Sequence, residues 1–247
     1  MLKNKKRVCL FIVEGKSDEM ALAVPLRNIF KRHQGTQDIR FEITHGDITS
    51  KKGITRDKVI AAVGNAVKDF MRKYKLKKQD FAAVVQIVDT DGTFVGDKHI
   101  KIDNQSHYAK YPFYTKDDIV VQTRKGQENI VWRNHIKAKN LEKLSQNSKV
   151  MGIPYKVFCF SCNLDHVLYN IENLADDDKV QKAAEFAGKY KDDEHEFLSL
   201  FKNVYPVSVP VEFKASWEFI RQEQNSLKRN SNFLIFLDNL VIQSLPI

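Results

Sequence analysis

Two short runs of β-forming residues, 8–13 (VCLFIV) and 81–88 (FAAVVQIV), each stop abruptly at carboxylates, the first at Glu14-Gly15 and the second at Asp89-Thr90-Asp91-Gly92. Runs this apolar and this short read as strands covered on both faces, which is the condition of a parallel sheet. Between them, Ser17 reads as a helix N-cap with Asp18 and Glu19 in the first turn, and Leu22, Leu26, Ile29 and Phe30 keep helical spacing. Pro25 predicts a kink or a restart in that helix. Residues 39–44 alternate like a second strand and run into a turn at His45-Gly46-Asp47. Val59, Val63, Val67, Phe70 and Tyr74 then recur with the period of an amphipathic helix. The order β-α-β-α-β implies a parallel sheet with helices on both faces.

Downstream, residues 95–126 are polar and aromatic without a clear period and read as an insertion or a lid. Helical spacing resumes over 127–146, residues 155–160 form a fourth core strand, and Leu164, Val167, Leu168 and Ile171 fit a helix. The remainder is mostly helical, interrupted at Pro206 and Pro210. The expected architecture is an α/β domain over 1–174, Rossmann-like, with about four core strands and the insertion at 95–126. A helical C-terminal extension, 175–247, packs on it. A chain of 247 residues, 43% hydrophobic, is large enough to bury such a core without staples. Cys9, Cys159 and Cys162 are too few for a disulfide framework, and the N-terminus resembles no signal peptide, so the expected compartment is the cytoplasm. The longest apolar runs fall far short of the roughly 18 residues that cross a bilayer.

The excess of 40 Lys+Arg over 31 Asp+Glu, a formal charge of +9, favours polyanionic partners. The basic residues cluster, at Lys3, Lys5, Lys6 and Arg7, at Lys51 and Lys52, and at Lys137, Lys139 and Lys143 among others. A solvated surface explains any one cluster as well as a nucleic-acid footprint does.

The acidic turns carry the chemistry. In open α/β sheets reactive groups gather at the carboxyl ends of the strands. If the first and third strands are neighbours, Glu14, Asp89 and Asp91 meet on one edge. Such a cluster repels itself unless a cation intervenes, and oxygen-only donors select a hard ion such as Mg2+ or Mn2+.

The pairing of a glutamate in an apolar-Glu-Gly turn with a later Asp-x-Asp resembles the Toprim domain of topoisomerases, bacterial primases, overcoming-lysogenization-defect nucleases and small ribosomal-RNA-maturing ribonucleases. The likeness spans roughly 7–94 and, more loosely, 127–171. It implies that Glu14 is a general acid/base or metal ligand and that Asp89 and Asp91 hold magnesium. Gly46 matches the family's middle glycine. The form Glu-Gly-Lys-Ser-Asp is nearer the nuclease branch, which makes Asp18 a further candidate ligand, although an Asp behind an N-cap is also ordinary helix chemistry. Ser161-Cys162-Asn163-Leu164-Asp165 resembles the strand-four motif of phage-defence Toprim proteins, with Asp165 where glutamate is commoner. A homodimer or an ATPase partner for residues beyond 175 follows from the same likeness, and so does a role in phage defence.

The resulting expectation is a metal-dependent nuclease, with DNA favoured over RNA. Lys16 first, then Lys51 and Lys52, would meet backbone phosphates. Two other readings stand beside it. Asp89-Thr90-Asp91-Gly92-Thr93 also fits the haloacid-dehalogenase-like phosphatase signature, with Asp89 as nucleophile, although that motif usually opens its domain and leaves Glu14 without a role. A non-catalytic nucleic-acid-binding or regulatory module is the third. Cys159-Phe160-Ser161-Cys162 has no partner pair for zinc, and His45 and His166 read as structural. The aromatic-lysine stretch at 107–116 has the composition of a base-stacking platform, and equally that of a loop docked by its aromatics.

Overall fold

The computed structural model describes residues 7–35, 37–105, 107–206 and 209–242, so Lys3, Lys5 and Lys6 lie outside the described residues. β1 (Arg7–Val13), α1 (Lys16–His33), β2 (Gln37–Ile43), α2 (Val59–Tyr74) and β3 (Phe81–Asp89) follow the expected alternation. β1 lies between β2 and β3, parallel to both, and β8 (Ile153–Phe160) is parallel to β3 on its far side. A two-residue edge strand, β7 (Lys149–Val150), adds antiparallel to β8, so the sheet is mixed with the order β2-β1-β3-β8-β7. The sequence reading lacks this strand, because its tight turn uses Met151 at a φ of 56° together with Gly152 at 84°. Both central residues of such a hairpin turn need positive φ, and methionine does not advertise it.

Alternation along β1 divides the core. Cys9, Phe11 and Val13 face one side, where they meet α1, α5 (Lys179–Tyr190), α6 (Glu194–Val204) and α8 (Leu234–Ile242). Val8, Leu10 and Ile12 face the other, covered by α2, α3 (Arg124–Ser145) and α7 (Phe213–Ile220). Phe11 stacks on Phe41 at 5.2 Å and meets Phe236 edge-on at 5.6 Å. Each fully buried phenylalanine removes enough apolar surface to contribute about 2–3 kcal/mol. Because Phe233, Phe236 and Leu237 pack in the same cluster as Phe11, the C-terminal helices form one wall of the core.

Two local expectations change. α1 continues through Pro25, which is buried among Leu22, Leu26 and Ile29. Burial of the whole stripe outweighs one missing backbone hydrogen bond. The N-cap is Gly15 rather than Ser17, and the Asp18 carboxylate reaches back to accept the Gly15 N–H at 2.8 Å. The inserted segment is ordered into its own sheet, in which β6 (Ile119–Val121) lies between β4 (Ile100–Ile102) and β5 (Phe113–Tyr114). Its Ile100, Ile119 and Val121 pack on Ile130 of α3 and on Leu227, which makes it a wall rather than a free lid. Among the described residues no helix is long and apolar enough to cross a membrane.

Candidate functional site

The carboxyl ends of β1, β2 and β3 open on one edge of the sheet, and all three predicted carboxylates stand there. Glu14 follows β1, and its Oε1 accepts the backbone N–H of Asp89 at 3.4 Å. Asp89, the last residue of β3, accepts the N–H of Leu164 through Oδ1 at 2.8 Å, which ties β3 to the start of α4 (Leu164–Tyr169). Asp91 sits in the left-handed region with φ 50°, and Gly92 beside it has φ 65°. This sharp turn needs a residue without a side chain at Gly92, because a Cβ there would stand 2.5 Å from Leu227 Cδ2. The Asp91 N–H donates to the Cys162 carbonyl at 2.7 Å, so the turn is held against the end of β8.

The C-terminal segment closes this arrangement from below. The Ser226 carbonyl accepts both the Thr90 hydroxyl, at 2.7 Å, and the Cys162 N–H, at 2.8 Å. Ser231 pairs with Phe160, and Asn232 Oδ1 accepts the Cys159 N–H at 2.8 Å. Cys9, Cys159 and Cys162 are free and buried. Burial, with Asp91 and Asp89 behind it, pushes the Cys162 thiol well above its ordinary range, so it stays protonated and inert.

Several site residues were missing from the sequence reading. Asp47, in the turn after β2, joins the acidic row, and Lys137 of α3 lies between it and Asp91. The Lys137 Nζ is 2.8 Å from Asp47 Oδ2 and 2.6 Å from Asp91 Oδ2, with none of its side chain exposed. Arg133, one turn earlier, donates to the Asp91 carbonyl at 2.8 Å and to the Tyr114 hydroxyl at 3.1 Å. That hydroxyl is in turn 3.4 Å from Asp91 Oδ1. The inserted sheet thus delivers Tyr114 to the site. A signal for Lys137 existed, since Ile130, Asn134, Lys137, Leu141 and Leu144 fall on one buried stripe of α3. A lysine in the register of a core stripe requires an anionic partner. Asp47 was equally exposed to the strand-end rule, but its Gly46-Asp47 setting also fits an ordinary turn.

The electrostatics follow from this placement. Burial pushes the carboxyls of Glu14 and Asp89 well above the usual carboxylate range. Repulsion adds to it, from Asp47, Asp91 and Asp18 on Glu14, and from Glu14, Asp18 and Asp91 on Asp89. Burial would raise Asp47 too, but the Lys137 ammonium outweighs it and holds Asp47 below its ordinary value. At the far end of the row, burial raises Asp165 to about 6 in spite of Lys179, whose Nζ is 3.6 Å away. Burial also raises Asp18, against the hydrogen bonds from Gly15 and Ser17. The lysines therefore stand at the two ends of the row, and among the described residues the central pair, Glu14 and Asp89, has no ion-pair partner.

Lys16 is exposed on the first turn of α1. Lys51 and Lys52 are exposed as well, but they line a surface recess with Glu42, His45, Ile54 and Asp69, beside β2 and α2. His45 is exposed, and His166 is buried with its Nε2 3.4 Å from Glu172. Tyr108 stacks on Phe113 at 3.9 Å, so the aromatics of the insertion largely pack on one another.

The donor chemistry of Glu14, Asp89 and Asp91, oxygen only and under-neutralised, suits a hard divalent ion. Among the described residues, no three histidine, cysteine or acidic side chains stand at metal-holding spacing. Asp91 is instead paired with the Lys137 ammonium, 2.6 Å from its Oδ2. Comparison with family models, with curated proteins and with solved structures found no match.

Proposed function

We propose that this chain is a divalent-metal-dependent phosphodiester hydrolase of the Toprim type, acting on nucleic acid. The observation that carries the reading is the meeting of Glu14 with Asp89 and Asp91 at the ends of adjacent parallel strands, where Lys137 acts on Glu14 and Asp89 only at longer range and, among the described residues, neither has an ion-pair partner. Mg2+ or Mn2+ held by Glu14, Asp89 and Asp91 would neutralise the scissile phosphate and acidify an attacking water. Glu14 would serve there either as one of the metal's ligands or as the base that takes a proton from that water. Lys137, Arg133 and Tyr114 fix Asp91, so its carboxylate is oriented before substrate arrives. Exposed Lys16, two residues after Glu14, would meet a backbone phosphate at the rim, and the formal charge of +9 would draw the polyanion in. Lys51 and Lys52 lie farther round, on the β2 side, where they would follow the strand away from the cleavage point.

The test is a panel of plasmid, single-stranded DNA, RNA and a generic phosphate ester, each with Mg2+ or with EDTA. Cleavage of a nucleic acid, lost in EDTA and reduced roughly a hundredfold or more by Asp89→Asn and by Glu14→Gln, is the expected result. Both substitutions keep an oxygen that can accept the existing backbone N–H, so both should fold. Turnover of the ester with an adduct on Asp89 and no effect of Glu14→Gln would overturn the reading in favour of a phosphatase. EDTA-insensitive binding without cleavage would make the chain a non-catalytic module.

A further inference from the structure

The acidic row already contains a cation of its own. Lys137 reaches one oxygen each of Asp47 and Asp91, and none of its side chain is exposed. Paired divalent ions in phosphoryl-transfer sites sit about 3.5–4 Å apart and share a bridging carboxylate. An ion bound jointly by Asp47 and Asp91 would have to occupy the volume the ammonium fills. The lysine has little freedom to leave. It lies in the middle of α3 between buried Asn134 and Asn140, and Asn140 Nδ2 clamps the Asp47 loop by donating to the Thr49 carbonyl at 2.7 Å and the Ile54 carbonyl at 3.0 Å. Thr49 in turn satisfies Asp47 Oδ1 from its backbone N–H at 2.6 Å. Glu14 and Asp89, by contrast, each accept a backbone N–H but have no ion-pair partner among the described residues.

We infer that the Lys137 ammonium stands permanently in the place of a second cation, so that this site takes one divalent ion, on the Glu14–Asp89 side, with Asp47 serving the lysine rather than the metal. This rests on the metal-dependent reading above. Asp91 is shared, since its Oδ2 is committed to Lys137.

The experiment titrates Mn2+ into the EDTA-stripped full chain without nucleic acid, reading stoichiometry by calorimetry and bound Mn2+ by electron paramagnetic resonance. The wild type is expected to bind one ion, Lys137→Ala to bind two, and Asp47→Asn to bind one with affinity within about threefold of wild type. Two ions in the wild type, a single ion in folded Lys137→Ala, or loss of the ion in Asp47→Asn would each overturn the assignment. Should Lys137→Ala fail to fold, the wild-type and Asp47→Asn stoichiometries decide. No bound ion in the wild type would instead overturn the metal-dependent reading itself.

Discussion

Lys137→Met removes the buried charge while keeping most of the apolar stem, and its cost follows from the ion-pair geometry. At 2.6 and 2.8 Å, each pair attracts by about 6 kcal/mol at an effective dielectric of about 20. Burial of the three ions offsets much of that, and removing one partner of a buried pair leaves a net loss of about 3–5 kcal/mol. For a chain of this length that loss lowers Tm by roughly 10 °C. Urea denaturation in EDTA at pH 8, followed by circular dichroism and by tryptophan fluorescence, measures it. Asp47→Asn in the Lys137→Met background removes one of the two stranded carboxylates, so the double variant should be more stable than the sum of the singles by about 1–3 kcal/mol. A loss below about 1 kcal/mol for Lys137→Met, or strictly additive singles, would refute the placement of the ammonium between the two aspartates.

His166 is held down to about 4 by burial and by the Arg229 charge, so its folded pKa is depressed. Its contribution is full above about pH 6.5 and is lost as pH falls toward 4; an imidazole midpoint at or above about 6 by nuclear magnetic resonance would contradict this. Gly92→Ala places a Cβ 2.5 Å from Leu227 Cδ2 at a φ of 65°. It should cost about 2–3 kcal/mol in thermal denaturation, falling to the backbone share of about 1 kcal/mol when measured against Leu227→Ala.

Much of the sheet was legible because its signal is local. The runs at 8–13 and 81–88 are apolar on both faces, and their ends carry Glu14, Asp89 and Asp91 whatever the rest of the chain does. Parallel neighbours β1 and β3 then bring those ends together. Asp18 was harder to place, since a carboxylate behind a helix start serves a cap and a metal equally well in sequence, and in the structure it accepts the Gly15 N–H. The edge strand β7 escaped notice because its turn depends on a left-handed methionine. Tyr114 looked like one aromatic of a loop, and only the small sheet around β6 carries its hydroxyl to Asp91.

The amino-acid sequence by itself determined where strands end in carboxylates and which helix faces are apolar, because periodicity and turn chemistry act over a few residues. Tertiary structure alone decided how that charge is compensated. Lys137 lies 46 residues from Asp91 and 90 from Asp47 along the chain, and only the packing of α3 against the sheet edge brings its ammonium between them. Long-range electrostatics of this kind depends on distance and burial, neither of which a linear pattern encodes.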